Sequence, residues 1–124
     1  MITSLLLAST LLTTGASISE ASTTNPNADS NVVYYIPHQD DEALTFGVSI
    51  MNHISKGHNV HVVLLTDGAA SNVRNKMGMT AKEFTEARNA EFALALESMG
   101  VDEENVEYKG YKDGQLTVAN SEKV

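Results

Sequence analysis

Residues 32–43 of the chain read VVYYIPHQDDEA, and this stretch determines how the rest of the sequence is interpreted. The first five residues are β-branched or aromatic without polar alternation, which predicts a β-strand buried on both faces. From Ala43 to Lys56 apolar residues recur at helical spacing, and Gly57 is placed to end a helix. The segment Pro37-His38-Gln39-Asp40-Asp41-Glu42 therefore lies in a turn between a strand and a helix.

This turn combines a histidine with three consecutive acids. Adjacent carboxylates repel one another, so a fold that keeps them together usually offers them a cation or a reaction. His38 and Asp41 are spaced so that both can face one ion, and imidazole with carboxylate suits zinc or another first-row divalent metal. Asp40 could stay off the metal and take a proton from a water molecule that the metal activates. A surface turn that only caps the helix is the alternative.

The remainder of the chain continues to alternate strands and helices. Residues 60–65 predict a second buried strand, residues 69–79 a polar loop, and residues 105–108 a third strand. Thr80 and Glu83 fit a capping box that begins a helix ending near Gly100. This order predicts an α/β, Rossmann-like three-layer sandwich with a mostly parallel sheet, incomplete at the C-terminus.

In a parallel sheet, ligands bind at the carboxyl ends of the strands. The loops at that edge begin near Pro37, Thr66 and Lys109. The strand order therefore predicts that acids and basic groups from all three loops converge there: His38, Asp40, Asp41, Asp67, Arg88 and Asp113.

Composition and charge exclude several classes of function. The 124 residues suit one modest domain, and a net charge of −8 without a Lys/Arg cluster argues against nucleic acid as a partner. The absence of cysteine excludes disulfides and thiolate metal sites. Residues 1–21 predict a secretory signal peptide, 22–31 a polar linker and 32–124 the folded domain. The chain is thus predicted to be secreted or in the cell envelope, without a stable membrane span.

The segment Pro37-His38-Gln39-Asp40-Asp41-Glu42, directly after a first strand, resembles the Pro/Ala-His-Pro-Asp-Asp-Glu signature of the PIG-L (LmbE-like) de-N-acetylase family. Residues 65–68 resemble its Thr-x-Gly strand end, Arg88 and Glu91 its Arg-x-x-Glu helix, and residues 111–114 its aspartate-glycine loop. The resemblance covers residues 32 to 116. It implies a zinc-dependent hydrolase that removes the N-acetyl group from a GlcNAc-type sugar, glycolipid or glycoside by metal-activated water.

The resemblance also assigns roles to individual residues. His38 and Asp41 resemble zinc ligands, and Asp40 resembles the catalytic base. Arg88 and Asp113 resemble residues near the sugar; their alternatives are an ion pair between Arg88 and a nearby acid, and a turn-forming role for Asp113.

The chain departs from the family pattern in two places. Gln39 stands where the family has a proline, and we expect a modest effect because the turn keeps its ligands. The family's third zinc ligand, a histidine in a His-x-x-His segment, lies downstream of the aspartate-glycine loop, and the sequence reaches Val124 without it. A catalytic zinc normally has three protein ligands, so the resemblance predicts that these residues are the N-terminal part of a longer deacetylase.

The other three histidines are not expected to replace the missing ligand. His53 falls near the end of the first helix, while His58 and His61 fall at the start of the second strand, so all are expected at the opposite edge, half-buried or on the surface. Two other functions stay open. One is an inactive metal- or carbohydrate-binding module, and the other is a magnesium-dependent phosphohydrolase that uses the acids and has little need of His38.

Overall fold

The computed structural model describes residues 30–118. Its strands are β1 (Asn31–Ile36), β2 (Asn59–Thr66) and β3 (Val106–Tyr111), and its helices are α1 (Asp41–Leu44), α2 (Gly47–Ser55), α3 (Asn72–Met77) and α4 (Ala81–Ser98). The strands are parallel, in the order β1-β2-β3. The predicted α/β, Rossmann-like fold with a parallel sheet is confirmed. The predicted signal peptide and residues 22–29 of the predicted linker lie outside the described residues.

The hydrophobic core lies between one face of the sheet and the helices. Alternate residues of each strand point to the same face, and α2 and α4 pack against it. Both crossovers, from β1 to β2 and from β2 to β3, move across the sheet in the same direction. Right-handed crossovers of this kind place their helices on the same face of the sheet. The described residues thus form two layers of the predicted three-layer sandwich. The core residues are Ile36, Ile50, Val60, Val62, Leu64, Phe92, Leu96 and Val101.

The prediction that β1 is buried on both faces is wrong. Ile36 is fully buried in the core, but Val33 and Tyr35 on the opposite face are 47% and 53% exposed. Among residues 30–118, β1 pairs with a strand on one side only, whereas in the central strand β2 Val63 on that same face is buried. An unbroken apolar run therefore did not distinguish an edge strand from a central one.

The predicted helix from Ala43 to Lys56 is interrupted in the structure. α1 ends at Leu44 and α2 begins at Gly47. At the break, the Phe46 N–H donates to the Asp41 carbonyl at 3.1 Å, a wider turn than an α-helix makes. A Cβ at position 47 would lie only 3.2 Å from the Glu42 carbonyl oxygen, so glycine permits the close approach.

The region predicted as one loop, residues 69–79, contains the six-residue helix α3. The Ser71 hydroxyl caps it by accepting from the Val73 N–H at 3.2 Å, and Gly78 ends it in the left-handed conformation. Similarly, β3 extends to Tyr111, three residues past the prediction. The turn expected at Lys109 therefore begins at Lys112.

The capping box that begins α4 is confirmed. The Thr80 hydroxyl accepts from the Glu83 N–H, and the Glu83 carboxylate accepts from the Thr80 N–H at 2.9 Å. α4 ends at Ser98, two residues before Gly100, which has a φ of 90°. Among residues 30–118, no helix has the length and apolar character needed to cross a bilayer.

Candidate metal and catalytic site

The loops that follow the three strands are tied together at the carboxyl edge of the sheet. The Thr66 hydroxyl donates to the Pro37 carbonyl at 2.7 Å, which joins the ends of β1 and β2. The Asp67 N–H donates to the Tyr111 carbonyl at 2.8 Å, which joins the ends of β2 and β3. The ends of the three strands are therefore fixed relative to one another, and the first bond holds the start of the acidic turn.

Asp40 has an unusual backbone conformation. Its φ is 84°, and it is the only non-glycine with positive φ among residues 30–118. Its carbonyl accepts the first N–H groups of α1, those of Ala43 and Leu44, but its side chain makes no capping bond. Aspartate tolerates this left-handed region better than most residues do. The carboxylate is thereby left off the helix and is 63% exposed.

His38 lies between two carboxylates that contact opposite nitrogens of its ring. Nε2 is 3.0 Å from Asp113 Oδ1, and Nδ1 is 3.5 Å from Asp41 Oδ2. Asp41 Oδ2 also accepts from the His38 N–H at 3.3 Å, which orients this carboxylate. The imidazole is fixed from both sides while 44% of the side chain stays exposed.

The pair formed by His38 Nδ1 and Asp41 Oδ2 fits the spacing of two metal ligands. Zinc bonds of about 2.1 Å at a tetrahedral angle separate two donor atoms by about 3.4 Å, close to the observed 3.5 Å. Asp113 on the other ring nitrogen resembles the carboxylates that orient zinc-bound histidines. In the part of the chain that the structure describes, however, no group of three or more His, Asp or Glu side chains could hold a metal. Two donors fit, and a third is not among these residues.

The remaining histidines lie at the opposite edge of the sheet, as predicted. His53, His58 and His61 are half-buried. His53 Nδ1 lies 2.8 Å from His58 Nδ1, and His61 Nε2 lies 2.9 Å from the Asn59 side-chain nitrogen. None of them belongs to a group of three side chains that could hold a metal among residues 30–118.

Arg88 reaches the acidic turn from the middle of α4. Its guanidinium donates to the Gly68 carbonyl at 3.1 Å, to the Gln39 carbonyl, and to Asp40 Oδ2 at 3.1 Å. It also lies over the Phe84 ring, 5.6 Å from the centroid. The acid that pairs with Arg88 is thus Asp40 of the acidic turn. Gly68 has a φ of 61°, and a side chain there would collide with the guanidinium.

Asp67 supports the loop that carries Asp113. Its carboxylate accepts from the N–H groups of Ala69 at 3.1 Å and Asp113 at 3.0 Å, and from Lys112 Nζ at 3.0 Å. Burial opposes ionisation, but these hydrogen bonds outweigh it and lower the pKa of Asp67 below its usual value. Asp113 Oδ2 accepts from the Ala70 N–H at 3.2 Å. Asp113 therefore belongs to the turn and also contacts His38.

Two buried polar residues of the turn were not identified from the sequence. Gln39 is 2% exposed and donates to Asn89 Oδ1 at 2.6 Å, while its Oε1 has no hydrogen-bond partner within residues 30–118. Glu42 is 3% exposed, and this burial raises the pKa of its carboxyl above the usual value. Backbone hydrogen bonds lower this pKa, whereas the charges of Asp40 and Asp41 raise it. In the sequence, the only indication of a side-chain contact at this point was that Gln39 stands where the family has a proline.

A known protein family matches most of the chain. The family model for PIG-L, described as GlcNAc-PI de-N-acetylase, matches residues 33–124. No curated protein matches the chain significantly. The family match includes the acidic turn, the Arg88 helix and the Asp113 loop.

Proposed function

The chain belongs to the PIG-L (GlcNAc-PI de-N-acetylase) family, and from this premise we propose that it contributes to a zinc-dependent hydrolase that releases acetate from a GlcNAc-type sugar, glycolipid or glycoside. The observation that carries this proposal is the His38–Asp41 pair at ligand spacing, with the exposed carboxylate of Asp40 beside it. Membership of a de-N-acetylase family supports the hydrolase class.

His38 and Asp41 are the proposed zinc ligands. A zinc ion held by them would polarise the acetamide carbonyl and lower the pKa of a water molecule. Asp40 is the proposed general base: it takes a proton from the attacking water and returns it to the leaving nitrogen as the amide C–N bond breaks. The products are acetate and a free amine.

Arg88 and Asp113 are proposed to act next to the sugar, mainly by positioning. The side chains of both are 15% exposed, so each has little surface left for direct contact with a sugar. Arg88 holds the backbone of the turn and the Asp40 carboxylate, whereas Asp113 fixes the ring orientation of His38. We also propose, from residues 1–21, that the protein is secreted or in the cell envelope, which favours an envelope or extracellular glycan as substrate.

Metal binding tests the assignment of His38. Zinc affinity of the 124-residue chain is measured by equilibrium dialysis and elemental analysis, for the parent, His38→Gln and the matched control His61→Gln. Because one of two proposed ligands is lost, we expect zinc affinity to fall at least tenfold in His38→Gln and to stay unchanged in His61→Gln. Unchanged zinc affinity in His38→Gln would refute the assignment of His38 as a zinc ligand. Magnesium binding that is equally strong in the parent and in His38→Gln would favour the phosphohydrolase.

A metal- or carbohydrate-binding module without hydrolytic activity is the second candidate. It is favoured by the observation that residues 30–118 contain no group of three metal-binding side chains. Acetate release from a GlcNAc glycoside separates the two candidates. Zinc binding with acetate release that falls about 100-fold or more in Asp40→Asn supports the hydrolase. Zinc binding without any acetate release supports the module.

A further inference from the structure

Two histidines meet at the end of α2, at the edge of the sheet opposite the candidate site. His53 Nδ1 lies 2.8 Å from His58 Nδ1, and both side chains are half-buried. Between neutral rings this contact is a hydrogen bond in which one nitrogen donates and the other accepts. Because imidazole is the commonest metal ligand in proteins, two ring nitrogens this close are also the donor set of a transition-metal site.

The backbone fixes the spacing of the two rings. The His58 N–H donates to the His53 carbonyl at 3.1 Å, and the Gly57 N–H donates to the Ile54 carbonyl at 2.9 Å. With Gly57 at a φ of 77°, these bonds form a Schellman motif, whose first and last residues bring their side chains together. That contact is frequently hydrophobic. The segment His53-Ile54-Ser55-Lys56-Gly57-His58 instead places a metal-binding side chain at each of the two positions.

The distance between the two nitrogens favours one kind of metal. Two donors about 2.0 Å from an ion and at a right angle to one another are about 2.8 Å apart, which is the distance observed. A tetrahedral zinc ion would separate them by about 3.4 Å. Right angles between adjacent ligands are the geometry of Cu(II), which nitrogen sites generally bind most tightly among first-row divalent metals. The partial negative charge at the carboxyl end of α2 further stabilises a cation at this place.

We propose, independently of the function above, that His53 and His58 form a binding site for Cu(II), with water at its remaining positions. The ring that donates the hydrogen bond carries its proton on Nδ1, and this proton moves through solvent to Nε2 of the same ring. Both Nδ1 lone pairs are then available to the ion, and two neutral rings release no proton. The ion joins the end of α2 to the residue before β2, and it stabilises the folded chain because the unfolded chain lacks the site.

Copper binding to the 124-residue chain tests this proposal without requiring turnover. Affinities are measured by equilibrium dialysis with elemental analysis in a His38→Gln background, which removes a proposed zinc ligand at the other edge of the sheet. We expect one Cu(II) per chain, bound at least about tenfold more tightly than Zn(II). His53→Gln and His58→Gln should each weaken copper binding at least about tenfold. His61→Gln, which changes a histidine outside the pair, should leave copper binding unchanged.

A second pair of variants tests the backbone geometry with both histidines present. Gly57→Ala strains the Schellman motif, because alanine disfavours a φ of 77°, and should weaken copper binding roughly three- to tenfold. Gly78→Ala is the same exchange at the end of α3, where φ is 66°, and should leave copper binding unchanged.

Two results would overturn the proposal. One is a copper affinity that is unchanged in both His53→Gln and His58→Gln, and the other is Zn(II) binding to the pair as tightly as Cu(II). Electron paramagnetic resonance gives an independent check, since the copper signal should show coupling to two ring nitrogens in the background chain and to one in either histidine variant. A signal that is identical in all three chains would place the copper elsewhere. None of these results bears on zinc at His38 and Asp41.

Discussion

Replacing Arg88 is expected to destabilise the protein through the backbone of the acidic turn more than through the ion pair with Asp40. The guanidinium donates to the carbonyls of Gly68 and Gln39 as well as to the Asp40 carboxylate. Without it, two inward-facing carbonyls lose their donor. A lysine keeps the charge but cannot form the planar fork that reaches both carbonyls.

The magnitude follows from these contacts. A hydrogen bond from a charged donor contributes about 1.5–3 kcal/mol, and two such bonds to carbonyls are lost in Arg88→Met. The Asp40 carboxylate is 63% exposed, so its ion pair contributes about 1 kcal/mol or less. We expect a loss of unfolding free energy of about 3–6 kcal/mol for Arg88→Met. We expect about 1.5–3 kcal/mol for Arg88→Lys, which can retain one bond.

Urea denaturation followed by circular dichroism measures both losses. Lys82→Met is the matched control on the same helix, because Lys82 is 84% exposed and its pair with Glu86 spans 3.7 Å. Its effect should stay within about 0.5 kcal/mol. A double-mutant cycle between Arg88→Met and Asp40→Asn should give a coupling energy below about 1 kcal/mol. A coupling energy that accounts for most of the Arg88→Met loss would refute this reasoning.

Three other changes test the support around the site. Asp113→Asn should weaken zinc binding about tenfold by freeing the His38 ring; an unchanged zinc affinity would mean that Asp113 does not orient His38. Asp67→Asn should destabilise the fold by about 1–2 kcal/mol at pH 7. The pKa of Asp67 is lower in the folded state than in the unfolded state. The carboxylate therefore contributes to folding stability above its unfolded-state pKa, and this contribution is lost as pH falls through its folded-state pKa. The unfolding free energies of parent and variant should thus converge in urea titrations at low pH. A difference that is independent of pH would contradict this. Thr80→Ala, which removes the α4 cap, should cost about 1 kcal/mol of unfolding free energy, and an unchanged stability would contradict the cap.

The features that the sequence predicted well are those set by local chemistry. The Thr80–Glu83 capping box begins α4 because each side chain bonds the other's backbone, an interaction complete within four residues. Strand order alone placed His38 and Asp113 at one edge, since parallel strands end together. Their 3.0 Å contact follows from that placement.

The features that it missed depend on tertiary context. α3 has only six residues and buries none of them, so its sequence is too short to reveal a helical repeat. The exposure of Val33 and Tyr35 depends on β1 being at the edge of the sheet, which a five-residue apolar run does not reveal. The contact between Gln39 and Asn89 joins residues 50 positions apart, and neither type predicts such a pairing.

The left-handed backbone of Asp40 has a consequence for saturation mutagenesis of the turn. At a φ of 84° glycine and asparagine are tolerated, whereas valine, isoleucine and threonine clash with their own backbone. A library at this position, sorted first for expression, should therefore retain glycine and asparagine and lose the β-branched residues, whether or not a carboxylate is needed. Asparagine and glycine variants at position 40 that express normally but fail in an activity screen would show that activity needs the carboxylate itself and not only the left-handed backbone conformation.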